Sequence, residues 1–267
     1  MRAWGVRPAR SKGQNFLLDA DVVERIADAS GAGPLDRVLE IGPGLGILTE
    51  ALLRRGATVT AIELDDTLAP RLDAHFHDER RFHLIHDDAT TVDPAYIFEP
   101  GQAYRIVANL PYGVATVIIR HYLESAQPPF ELIVMVQKEV ADRMTATAGD
   151  LSLLTLAIQL YTEPEYLFTV PNDAFHPPPK VTSAVVRLTT LSEPALDTES
   201  RERLFRLATI AFQQKRKTLL NSLSRGLDID KAALLARLDA IGIDGGQRPQ
   251  ALAFDDWLRL ASAELAP

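Results

Sequence analysis

Cysteine is absent from the 267 residues, which removes disulfides and thiolate metal sites from consideration. No apolar run approaches the roughly 18 residues that a membrane-spanning helix needs. The stretch 1–14 carries basic residues but no apolar core, so it does not read as a signal peptide. An excess of positive charge is also missing. The formal net charge is −8, which argues against nucleic-acid binding spread over the whole surface. No internal repeat or low-complexity tract interrupts the chain. What remains fits a cytosolic protein, 46% hydrophobic, with enough apolar residues for a sizeable core. Its length suits one large domain or two.

The charge is unevenly spread. Residues 1–18 hold Arg2, Arg7, Arg10 and Lys12 and no acid. Residues 201–217 hold Arg201, Arg203, Arg206, Lys215, Arg216 and Lys217 against the single acid Glu202, while much of the excess acid falls in 61–99. A local basic face on an acidic protein is therefore expected, with ordinary solvated charge as the alternative.

Short apolar runs alternate with stretches of helical spacing. Val38–Ile41 runs into Gly42-Pro43-Gly44-Leu45-Gly46, Thr58–Ile62 into Glu63, Phe82–Ile85 towards Asp88, and Tyr104–Ala108 into Asn109. Helical patterns lie between or after them: Leu45–Arg55, Thr67–His75 and Ala115–Glu124. Strands alternating with helices predict βαβ units and a parallel sheet. Ligands of such sheets bind at the carboxyl ends of the strands, which is where Gly42, Glu63, Asp88 and Asn109 are expected. A fifth strand is read at Leu132–Val136, then a helix through Met144 and another at Leu151–Tyr161. Glu165–Val170 and Val181–Leu188 read as an antiparallel pair joined by a proline-rich connector. Residues 1–19 look irregular. The expected division is a domain at 1–191 and a small helical domain at 200–267.

The residues at the strand ends suggest a chemistry. A glycine-rich turn lets backbone approach a ligand, and the following helix offers free N–H groups. Glu63 lies 21 residues after Gly42, where an acid accepts from ribose hydroxyls. The dinucleotide pattern needs Gly or Ala at position 47, but Ile47 stands there. An adenosine ligand without a diphosphate fits better, and S-adenosylmethionine is the obvious one. Asp88 is placed to accept from its adenine amine. Asn109-Leu110-Pro111-Tyr112 supplies a side-chain amide, a fixed turn and an aromatic ring, a set suited to an amino group on a flat heterocycle. The competing reading is a plain strand-to-loop turn. His75, His77, His83 and His86 match no metal-ligand spacing and read as surface histidines, so no metal is expected.

Taken together, these motifs resemble those of the ribosomal small-subunit RNA adenine dimethyltransferases. The matching text comprises 13–17, Val38–Gly46, Ile62–Asp65, Asn109–Tyr112, Met135–Ala141, Pro177–Arg187 and the tail segment 212–219. The resemblance implies a Rossmann-like class I methyltransferase sheet followed by a small helical domain. It implies dimethylation of two adjacent adenosines in the 3′-terminal hairpin loop of 16S rRNA; separately, a monomer with no membrane partner is expected, although the sequence does not report oligomeric state. Cofactor contacts are implied at Asn15, Leu17, Gly42, Glu63, Asp88 and Asn109, within the turn that also holds Gly44 and Gly46. Tyr112 is expected to stack on the target adenine, with Phe175 over its other face. Lys12, Lys215, Arg216 and Lys217 are expected at RNA phosphates. One departure is a shorter loop at Gly149-Asp150-Leu151-Ser152. The rivals are a large-subunit, macrolide-resistance type methylase, a non-catalytic assembly factor on the same fold, and a nicotinamide dehydrogenase, which Ile47 disfavours.

Overall fold

The computed structural model describes residues 15–214 and 216–263. In chain order these form β1 (Phe16–Leu17), α1 (Ala20–Ser30), β2 (Arg37–Ile41), α2 (Ile47–Arg54), β3 (Thr58–Ile62), α3 (Ala69–His75), β4 (Phe82–Ile85), β5 (Arg105–Asn109), α4 (Ala115–Leu123), β6 (Glu131–Gln137), α5 (Lys138–Met144), α6 (Leu153–Gln159), β7 (Thr162–Val170), β8 (Phe175–His176) and β9 (Ser183–Thr190). The helices α7 (Thr198–Phe212), α8 (Leu219–Leu227), α9 (Lys231–Ala240) and α10 (Phe254–Ser262) follow.

Seven strands make one sheet in the order β4-β3-β2-β5-β6-β9-β7. The pairs β4–β3, β3–β2, β2–β5 and β5–β6 are parallel. β9 runs antiparallel to β6, from Glu131↔Thr189 to Gln137↔Ser183. The central strands are buried because they are near-continuous apolar runs, as a sheet covered on both faces requires. Leu39, Val107, Ile133 and Val134 are fully buried. The order reverses between β2 and β5, the switch point at which open α/β sheets bind ligands. Register levels the strand ends there: Ile41 pairs with Ile62 and Ile62 with Ile85. Gly42 and Glu63 therefore emerge side by side.

The first helix is capped at its start and tied to this sheet at its end. The Asp19 carboxylate accepts from Val22 N at 3.1 Å, capping the start of α1. At its other end Arg187 of β9 donates to the Ala29 carbonyl at 3.0 Å, and Arg105 of β5 donates to that of Ser30. Both arginines share Glu131, each at 3.1 Å. Cations at a helix C-terminus complement its dipole, so the Arg187 of the matching text has a structural task. The segment expected to be irregular before α1 contains β1, which pairs antiparallel with β8 through Phe16↔His176 and Leu17↔Phe175.

By packing, the described chain divides into two compact units. One runs to Ala141 and resumes over Glu163–Thr190; the other takes Asp142–Thr162 and everything from Leu191 on. In the second unit Leu204, Leu207, Ala208 and Ala211 of α7 form one buried face. Fully buried Trp257 of α10 stacks on Phe212 at 5.3 Å between ring centres. The short loop before α6 belongs here. Gly149 N and Leu151 N donate to the Gln250 carbonyl at 3.0 and 3.2 Å, and Ser152 with Thr155 forms a reciprocal cap on α6.

Candidate active site

A cavity of about 470 Å³ opens at the switch point, within the roughly 300–1,000 Å³ of small-molecule sites. Asn15, Phe16 and Leu17 line it, with Gly42 and Gly44 of the glycine turn, Glu63 after β3, Asn109 at the end of β5, and Leu110, Pro111 and Tyr112 after it. Leu45, Leu48, Leu64, Leu68 and Val114 supply apolar wall. The glycine turn and the tetrapeptide meet directly, since a Cβ on Gly42 would lie 3.9 Å from the Pro111 ring.

Two glycines of the turn have different reasons to be glycine. Gly44, at φ +60°, faces the cavity wall, and a Cβ there would sit 3.2 Å from Phe16 Cδ1. Gly46, at φ +74°, points the other way: a Cβ would fall 2.8 Å from Phe76 Cε2 and 3.2 Å from Leu72 Cδ2. Gly46 does not line the cavity; it lets α2 pack against α3.

Glu63 is 7% exposed. Its Oε2 accepts from Gly44 N at 3.2 Å and its Oε1 from Asp65 N at 2.9 Å. Burial pushes its carboxyl above the usual range, while the backbone donors of Asp65 and Gly44 pull it back. Each oxygen bonds to the backbone yet retains a further acceptor position, so the group is fixed and still able to receive hydroxyls. Asp65 ties the same loop by accepting from Thr67 N and Oγ1 at 2.9 and 2.6 Å.

Asn109 is half-buried at the end of β5, and no hydrogen bond to its carboxamide occurs among the described residues. Leu110 N donates to the Met135 carbonyl at 3.1 Å, which fixes the turn to β6. The Tyr112 hydroxyl bonds to Ser183 Oγ on β9. Burial raises the phenol's pKa and the Ser183 hydrogen bond lowers it, burial prevailing. The ring is thus held by its far end while its body lines the cavity.

The other expected residues fall differently. Asp88 stands beyond β4, half-buried, with Oδ1 accepting from Thr90 N and Oγ1, both at 2.8 Å. Those bonds hold its carboxyl below the usual range. It does not line the cavity. Phe175 is 4% exposed within the hydrophobic core and is not brought to the cavity wall. Arg216 and Lys217 are exposed in the second unit, whereas Lys12 and Lys215 lie outside the described residues. His75, His77, His83 and His86 are all exposed. Phe16, Leu64, Asp65, Glu40 and Ser183 escaped the sequence reading. The signal for Phe16 was its place between two expected contacts; that for Ser183 was only its place in the matching text 177–187, since its partner stands 71 residues away.

The family model described as ribosomal RNA adenine dimethylase matches residues 7–263. The ribosomal RNA small subunit methyltransferase A of Dehalococcoides mccartyi is 40% identical over 97% of this chain and 89% of its own. That of Pseudomonas aeruginosa is 42% identical over 96% and 94%. Among solved structures, the 23S rRNA methyltransferase ErmE is 31% identical with a TM-score of 0.74, covering 93% of this chain and 98% of its own. A dimethyladenosine transferase from Plasmodium falciparum is 26% identical with a TM-score of 0.78, over 92% and 95%. The sheet is thus the expected Rossmann-like methyltransferase sheet, with the tetrapeptide and the glycine turn on one cavity. The chain belongs to the ribosomal RNA adenine dimethylase family.

Proposed function

We propose that this chain transfers methyl groups from S-adenosylmethionine to the exocyclic nitrogens of two adjacent adenosines in the 3′-terminal hairpin loop of 16S rRNA, within the small ribosomal subunit. The observation that carries the reading is the shared cavity. Asn109–Tyr112, suited to an aromatic amine, lines the same space as Gly42, Gly44 and Glu63, suited to an adenosine.

The residues present fit such a cofactor. Backbone reaches the cavity at Gly44 because no Cβ intervenes, and the buried Glu63 carboxylate matches a pair of ribose hydroxyls. Asn15 and Leu17 close the side next to Phe16. Asp88, with Oδ1 engaged by Thr90, keeps Oδ2 for an adenine amine. The cofactor supplies an electrophilic methyl on a sulfonium.

The target nitrogen is a weak nucleophile because its lone pair is delocalised into the purine. The Asn109 side-chain oxygen and the Leu110 carbonyl accept its two N–H groups, favour a more tetrahedral nitrogen, and aim the lone pair. This is catalysis by positioning and electrostatics. The adenine leaves its own stack to enter, and Tyr112 receives it face to face, which is worth roughly 1–3 kcal/mol. After transfer the nitrogen's proton is acidic and passes to water, so no strong base is required. In the second round one N–H remains and one acceptor suffices.

RNA phosphates are held by cations of the second unit. Arg201 lies over the Tyr161 ring at 5.5 Å and donates to Thr198. Arg203 bonds Glu199 and the Ala261 carbonyl. Both are occupied structurally, whereas Arg206, Arg216 and Lys217 are exposed. No helix of the described chain is long and apolar enough to cross a membrane, and the substrate places the enzyme in the cytoplasm, where it acts as a monomer without a metal.

Asn109→Ala tests the mechanism. Its kcat should fall by about 10²-fold or more, the scale of losing one oriented transition-state contact, while KM for S-adenosylmethionine changes several-fold at most. An unchanged kcat would refute it.

A further inference from the structure

Helix α4 leaves the catalytic turn and ends against the loop that carries Asp88. Its start is joined to Asn109–Tyr112, since Val114 N donates to the Pro111 carbonyl at 3.1 Å. In its last turn stands His121, half-buried. The His121 Nε2 lies 2.9 Å from the Val92 carbonyl oxygen. A carbonyl only accepts, so Nε2 carries the hydrogen and donates. Tyr122, fully buried, packs edge-on against this ring with centres 5.0 Å apart, which fixes where it points.

Val92 closes the turn that begins at Asp88. The Asp88 carbonyl accepts from Thr91 N at 3.0 Å, Thr91 Oγ1 at 3.0 Å and Val92 N at 3.2 Å. Its Oδ1 accepts from Thr90 N and Oγ1, and its N donates to Asp87 Oδ1 at 2.7 Å. These bonds are internal to 87–92, so the segment holds its shape as a unit. Among the described residues, that from His121 is the single hydrogen bond tying 87–92 to another part of the chain.

We propose that His121 is a positioning residue for the cofactor's base: by holding Val92, it aims Oδ2 of Asp88 at the adenine amine. The inference deepens the S-adenosylmethionine reading given above and rests on Asp88 as the adenine acceptor. His121 touches neither cofactor nor RNA in this scheme. One helix then sets both reactants, with Asn109–Tyr112 at its start for the target amine and His121 in its last turn for the cofactor. Hydrogen bonds weaken steeply as their geometry degrades. A turn released as a unit therefore loses the amine even though Asp88 is intact.

The test is isothermal titration calorimetry of the whole protein with two ligands. S-adenosylhomocysteine presents the amine; S-inosylhomocysteine carries a carbonyl in its place, which cannot donate. The parent should bind the adenosyl compound at least about tenfold more tightly, the scale of a hydrogen bond to a charged group. In His121→Ala that preference should fall to within about threefold, through lost adenosyl affinity with inosyl affinity unchanged. A purely structural role would weaken both compounds alike. Equal weakening of both in His121→Ala, or a preference equal to the parent's, overturns the inference and leaves Asp88 as the acceptor. Should the alanine variant not fold, His121→Leu refills the volume without a donor and is judged by the same outcomes. A parent that binds both compounds equally overturns Asp88 as the amine's acceptor and this inference with it. A parent that binds neither overturns the cofactor assignment itself.

Discussion

Gly46→Ala isolates packing from ligand binding within one five-residue turn. The new Cβ would fall 2.8 Å from Phe76 Cε2 and 3.0 Å from Cζ, with Leu72 Cδ2 at 3.2 Å. Phe76 and Leu72 are themselves buried, and Phe76 packs on Phe82 at 4.5 Å between centres, so neither side chain can swing clear. Overpacking of this kind costs about 1–3 kcal/mol. The backbone at φ +74° adds about 1–2 kcal/mol for a residue with a Cβ. The sum, about 2–5 kcal/mol, corresponds to a fall in Tm of roughly 4–20 °C for a domain of this size. Scanning calorimetry of parent and variant reads it directly. Gly44→Ala is the control. It has a similar positive φ, but its neighbour is Phe16 on the cavity wall at 3.2 Å, so its main effect should be on S-adenosylmethionine KM. A Gly46→Ala protein melting within about 1 °C of the parent would refute the reasoning.

Other outcomes follow from the same geometry. Ser183→Ala removes the anchor of the Tyr112 hydroxyl and should raise the KM for RNA several-fold with little change for the cofactor, as steady-state kinetics with each substrate varied will show. Stability should depend on pH through Glu40, whose carboxyl is pushed up to about 8 chiefly by burial, against 4.5 ordinarily. The folded state then holds a proton that the unfolded state has lost, so this contribution is complete below about pH 4.5 and is lost as pH rises through about 8. At about 1.4 kcal/mol per tenfold, the effect is at most about 5 kcal/mol. Glu40→Gln should flatten the slope of urea-unfolding free energy between pH 5 and 8; an identical slope would contradict the assignment.

The sheet was legible because its strands are buried on both faces and announce themselves as apolar runs, each ending in Gly42, Glu63 or Asn109. The site followed from the rule that ligands gather at those ends. The ladder Phe16↔His176 was not legible, since two-residue strands have no periodicity to read. It also explains Phe175: pairing with Leu17 turns the ring into the core, where a sequence reading had placed it over a substrate. Glu40 was hidden by position, as an acid inside a strand looks like an ordinary outward-facing residue until α2 is seen to cover it with Thr49. The segment at 142–162 read as part of the larger unit because nothing local reports that the Gln250 carbonyl holds it.

The most direct test is methyl transfer from labelled S-adenosylmethionine to small ribosomal subunits that lack the modification, with mature small subunits and large subunits as controls. The account predicts two methyl groups on each of two adjacent adenosines of the unmodified small-subunit RNA, and little label elsewhere. Label in the large subunit, or no label anywhere from a protein that still binds the cofactor, would contradict it.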